Sequence, residues 1–88
     1  MKEFMSRLDP KTVEIIDQLL MKMIEMQNRK VLNRARLCLP HLTGDDILNP
    51  HDYPLLDHDP IFNYEEGLAS GLLAAQTAVQ AEMKSREH

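Results

Sequence analysis

The chain has 88 residues, 43% hydrophobic and 27% charged, with one Cys, no Trp, and 14 acids against 10 Lys and Arg for a formal charge of −4. That length holds one small domain, residues 1–88, burying roughly 64% of its unfolded surface, which disfavours a large enclosed active site. The apolar content is too high for a disordered chain, a lone Cys excludes a disulfide framework or a zinc ribbon, and the acidic balance argues against a broad nucleic-acid surface.

Charges interrupt every apolar stretch of the N-terminal segment, so no secretory leader is expected there. Apolar runs such as Leu19-Leu20-Met21 fall far short of the roughly 20 residues a membrane span needs. The expected setting is soluble and cytoplasmic, without a membrane partner.

Residues 10–38 contain no Gly and no internal Pro and are rich in strong helix formers. They predict one long helix. Asp9-Pro10 marks its start, a capping carboxylate followed by a proline suited to the first helical position. Pro40 ends it by pushing Leu39 out of the helical region. At 1.5 Å per residue the helix would be roughly 43 Å long.

Residues 40–62 hold four of the five prolines, so no long regular element is expected to run through them. They also carry Leu42, Ile47, Leu48, Tyr53, Leu55, Leu56, Ile61 and Phe62, too many large apolar groups to leave in water. An ordered, packed connector is expected. Thr43 with Asp46 resembles a capping pair and suggests a single helical turn ending before Pro50.

Residues 64–86 predict the second long helix, with Asn63 and Glu66 as its start signal. No period-2 pattern survives beyond a few residues, so the class is all-α, an antiparallel helical hairpin. At 100° per residue the second helix shows two edges. Tyr64, Leu68, Leu72, Ala75, Val79 and Met83 form one of mostly large side chains. Gly67, Gly71, Ala74, Ala78, Ala81 and Ser85 form a strict small-residue seam. On the first helix, Val13, Ile15, Ile16, Leu19, Leu20, Met23, Ile24 and Met26 cover roughly 180°, wider than one partner would occupy. Two edges imply two neighbours, which predicts a homodimer forming a four-helix bundle. A small-residue seam matching itself across the two-fold axis is the preferred interface.

Four features bear on function. Gln27, Lys30 and Arg34 continue the line of Ile16, Leu20 and Met23, while Val31, Ala35, Cys38 and Leu39 swing to a neighbouring face. Either the helix changes partners there, with connector acids pairing Lys30 and Arg34, or these residues with Tyr53 form a pocket for an anionic ligand or acidic segment, or the helix breaks near Asn28. The connector's His51, Asp52, His58 and Asp59 could ligate a divalent metal such as zinc, although His41, His51 and His58 follow no recognised ligand spacing. Tyr53, Phe62 and Tyr64 either anchor the connector or build a recognition patch. Cys38, in an apolar context, is expected to be inert.

No catalytic residue and no cofactor is assigned. The expected function is protein–protein interaction or assembly, with itself or another protein as partner. The alternative is a ligand- or metal-binding site at the bundle end. Charge along the chain points to the same end. Residues 1–36 carry 8 bases and 5 acids, whereas residues 37–83 carry 8 acids and no base.

Overall fold

The structure, a computed structural model, describes residues 9–86, so the N-terminal segment read above lies outside the described residues except for Asp9. The first helix, α1, runs Pro10–Cys38, as the sequence predicts. Asp9 caps it through both carboxylate oxygens, accepting from the Thr12 amide at 2.8 Å and the Thr12 hydroxyl at 2.9 Å. These bonds hold the Asp9 carboxyl below its ordinary pKa. At the far end Leu39 turns extended ahead of Pro40 while its amide still donates to Ala35. The 46 Å longest dimension of the molecule is close to the length of this one helix.

The connector is ordered as a chain of short turns: 3₁₀ turns at Asp46–Leu48 and Pro50–Asp52, then the four-residue helix α2 at Pro54–Asp57. The Thr43 amide and hydroxyl donate to Asp46 at 2.9 and 3.1 Å, and the Asp46 amide points back to the Thr43 hydroxyl at 3.4 Å. The expected Thr43–Asp46 pairing is present and the turn stops before Pro50, but the residue at the turn's N-cap is Asp45, whose side chain makes no capping bond. The prolines do more than interrupt. Pro50, Pro54 and Pro60 each take the first position of an element, where a missing N–H costs nothing.

The second long helix, α3, runs Pro60–Ser85 and so begins four residues before the predicted start. Asp59, not Asn63, is its cap, accepting from the Phe62 amide at 2.8 Å. Asn63 lies within the first turn and donates to the Asp57 carbonyl at 3.0 Å.

Helices α1 and α3 pack along their length as the predicted hairpin. Their meeting faces follow a seven-residue spacing. On α3 the buried and half-buried line is Phe62, Glu65, Ala69, Leu72, Gln76, Val79, Met83 and Arg86. On α1 it passes through Val13, Leu20, Ile24, Gln27, Val31 and Ala35. The expected stripe divides: Val13, Leu20 and Ile24, continued by Gln27, form the buried line, whereas Ile15, Leu19, Met23 and Met26 lie outside it and are exposed.

The core sits at one end. Val31, Ala35, Leu42, Leu56 and Phe62 form its centre, with Ile47, Tyr53 and Ala69 packed against it, so the connector closes that end of the hairpin. Away from it the two helices have only each other. The consequence shows in the dimensions. The 16.3 Å radius of gyration exceeds the about 12 Å of a compact chain this long. The 6593 Å² of accessible surface exceeds the about 5,300 Å² of a compact monomer of this mass. The small-residue seam of α3 lies on the exposed side, and a Cβ at Gly67 or Gly71 would meet nothing within 4 Å.

Candidate functional site

The basic end of α1 and the acidic connector meet at the closed end of the hairpin, and their contact is specific. Arg34 grips Asp59 in a two-pronged ion pair, Nε to Oδ2 and Nη2 to Oδ1, each 2.9 Å. The matching planes of guanidinium and carboxylate allow this fork. Asp59 thus does two jobs, capping α3 and tying its start to α1. The Arg34 guanidinium, and after it the Phe62 amide, pull its carboxyl down to about 2. The same contact raises the Arg34 pKa above its ordinary value.

Two turns back along α1, Gln27 reaches across to α3. Its Nε2 donates to the Glu65 carbonyl at 2.9 Å and to the Glu65 carboxylate at 2.7 Å. A buried amide is thereby satisfied from a residue 38 positions away. Between these two ties lies an open cleft of about 450 Å³ lined by Lys30, Asn33, Arg34, Leu37, Ile61 and Glu65. Its walls are apolar at Leu37 and Ile61, and its charges are of both signs.

Of the residues singled out as ligand candidates, Lys30 and Arg34 share this cleft, with Arg34 already engaged by Asp59. Tyr53 does not line it. Its hydroxyl donates to Asp46 at 3.3 Å, and the ring packs against the core. Burial, followed by the Asp46 charge, raises the tyrosine pKa. The Thr43 amide and hydroxyl lower that of Asp46. Phe62 is fully buried and Tyr64 exposed, so the aromatic set divides between anchoring and surface.

The proposed metal residues are not brought together as one group. His51 Nδ1 contacts Asp57 Oδ1 at 2.9 Å, Asp52 and His58 are exposed, and Asp59 is held by Arg34. Among the described residues no group of three or more His, Cys, Asp or Glu side chains is placed to hold a metal ion. Nor is any helix among them long and apolar enough to cross a membrane.

Sequence reasoning missed the Gln27–Glu65 tie and the apolar walls of the cleft. The signal for the first was Gln27 recurring at seven-residue spacing from Val13 and Leu20. The signal for the second was Leu37 on a face otherwise given to Lys30 and Asn33.

Comparison with protein-family models finds no match, and neither curated proteins nor solved structures give a significant one.

Proposed function

We propose that this chain works by association, as a helical module whose role is binding and assembly and whose first partner is a second copy of itself. One observation carries the reading: large apolar side chains remain outside the hairpin along both helices. Ile15, Leu19 and Met26 are 56%, 57% and 58% exposed, and Tyr64 is 63% exposed. Exposed apolar groups scattered singly are ordinary, but a contiguous row of them on a small protein marks a surface that another surface covers. The polar features support the same role. Arg34 with Asp59 and Gln27 with Glu65 hold the hairpin together and leave its face rigid for docking.

The mass in solution tests this. Sedimentation equilibrium at micromolar concentration is expected to give at least twice the mass of one chain. A single-chain mass across that range overturns self-association.

The cleft supports a second reading, in which Lys30 and Arg34 receive an anionic group of a ligand or partner segment. Titration with inorganic phosphate, followed by NMR shifts at both residues, tests it. Flat shifts up to millimolar phosphate would remove it.

A further inference from the structure

We infer that the second copy docks on one particular face, formed by Ile15, Leu19, Met23 and Met26 of α1 with Tyr64 and Leu68 of α3, and that each α1 lies over the partner's α3. This rests on the self-association proposed above and adds the surface and the arrangement.

The face follows from helical geometry. At 100° per residue, positions 15, 19, 23 and 26 fall within about 80° of arc, roughly 120° round α1 from the buried line. Continued by the same spacing, the row reaches Lys30, Asn33 and Leu37. Those three share the cleft with Ile61 and Glu65 of α3. The row on α1 therefore opens on the same side of the hairpin as Ile61, and Tyr64 and Leu68 extend that side of α3 along the helix. The small-residue seam points elsewhere. It lies opposite the buried line of α3, nearly half a turn from α1.

The area is sufficient for a stable pair. With Leu37 and Ile61 the face holds eight half-exposed side chains, each offering on the order of 100 Å². Together they present about 800 Å², the share one partner contributes to an interface of standard size. The seam, built of Gly, Ala and Ser, offers far less apolar surface.

Charge selects the arrangement. The face is apolar except near the cleft, where Asn33 interrupts the row and the charges of Lys30 on α1 and Glu65 on α3 border the same opening. A two-fold axis along the bundle keeps every level opposite itself and sets α1 over the partner's α3. Each Lys30 then comes over a Glu65 of the second copy, and Met26 over a Leu68. A two-fold axis across the bundle would instead set α1 over α1 with levels inverted, and would bring Lys30 onto the apolar stretch around Leu19. Desolvating an unpaired ammonium there is costly, so the first arrangement is the complementary one.

Two sets of variants test this by sedimentation and cross-linking. Leu19→Glu and Met26→Glu are expected to give single-chain mass with the helical circular dichroism retained, while Ala78→Glu on the seam keeps the mass of the unsubstituted protein. A monomeric unsubstituted chain overturns both this inference and the self-association behind it. A dimer that survives Leu19→Glu and Met26→Glu, or that Ala78→Glu dissociates, overturns the face alone. For the arrangement, Cys38→Ser chains carrying Met26→Cys or Leu68→Cys are oxidised separately and as an equimolar mixture. The mixture is expected to cross-link several-fold more than either alone. Preferential cross-linking of Met26→Cys with itself would overturn α1 over α3.

Discussion

Replacing Phe62 with Ala tests whether the connector end is the energetic centre of the fold. Phe62 is fully buried, in the cluster with Val31, Ala35, Leu42 and Leu56 that joins α1, the connector and α3. Truncating a buried Phe typically costs about 3–5 kcal/mol through lost burial and the cavity left behind. The higher helix propensity of Ala returns about 0.5 kcal/mol of that at this helical position. A chain of this length has a total stability of about 4–13 kcal/mol, so one substitution removes a large share of it. At about 4–8 °C per kcal/mol for a domain this size, the melting temperature should fall by at least 10 °C or so. Thermal and urea melts followed at 222 nm measure it, with Leu48→Ala as the comparison. Leu48 is 75% exposed in the same connector region, and its truncation should stay within about 0.5 kcal/mol of the unsubstituted protein. Similar effects from the two substitutions would refute a core centred on Phe62.

Acid should loosen the closed end in a defined window. The Asp59 carboxyl sits at about 2 in the fold against an ordinary 3.8. The folded state therefore binds fewer protons between these values, and the stabilisation is complete above 3.8 and lost as pH falls through about 2. Asp59→Asn should flatten that part of the melting-temperature profile, and an unchanged slope would count against the Arg34 contact as its cause. Gly71→Ala should stabilise the chain by up to about 1 kcal/mol, because the glycine lies mid-helix with open space around it. A lower melting temperature would mean that something packs against the seam. Thr43→Ala removes the hydroxyl that both donates to Asp46 and receives its amide, so an NMR titration should show the Asp46 carboxyl rising toward its ordinary value. No movement would show that the residue 43 amide and the Tyr53 hydroxyl set it without the Thr43 hydroxyl.

Local signals made α1 legible in the sequence, because Asp9-Pro10 and Pro40 act within a turn of the residues they affect. The same Asp-Pro signature stands at Asp59-Pro60, although the start expected from the local pattern is Asn63 with Glu66. The structure gives the cap to Asp59 because proline supplies the first helical φ and the carboxylate is also wanted by Arg34. That second demand comes from 25 residues away and leaves no mark in the local pattern. The width of the apolar surface on α1 was legible too, but not which half of it faces α3. An arc of roughly 180° offers two equally apolar rows. The choice was made by connector residues such as Leu42 and Leu56 closing over Val31 and Ala35, which aligns one row with α3 and leaves the other outside. The ligand and metal candidates gathered in the sequence as a cluster of types, yet the turns of the connector distribute them. Tyr53 goes to Asp46, Asp59 to Arg34 and His51 to Asp57, so residues close in number act at separate places.

The buried glutamine explains why this hairpin has one register. Leu20, Ile24, Leu72 and Val79 are interchangeable enough that sliding α3 by seven residues would still set apolar against apolar. Gln27 does not tolerate the slide. Displaced by one repeat it would face Leu72 or His58 in place of Glu65 and would lose both acceptors of its Nε2. An unsatisfied buried amide costs about 1–3 kcal/mol, a penalty the alternative register could not offset with equivalent apolar contacts. A polar residue at a core position of a helical pair thus trades some stability for a single alignment. That alignment is also what places Lys30 and Glu65 at one level on the open face. The register chosen inside the hairpin therefore sets the charge pattern that a second copy would meet outside it.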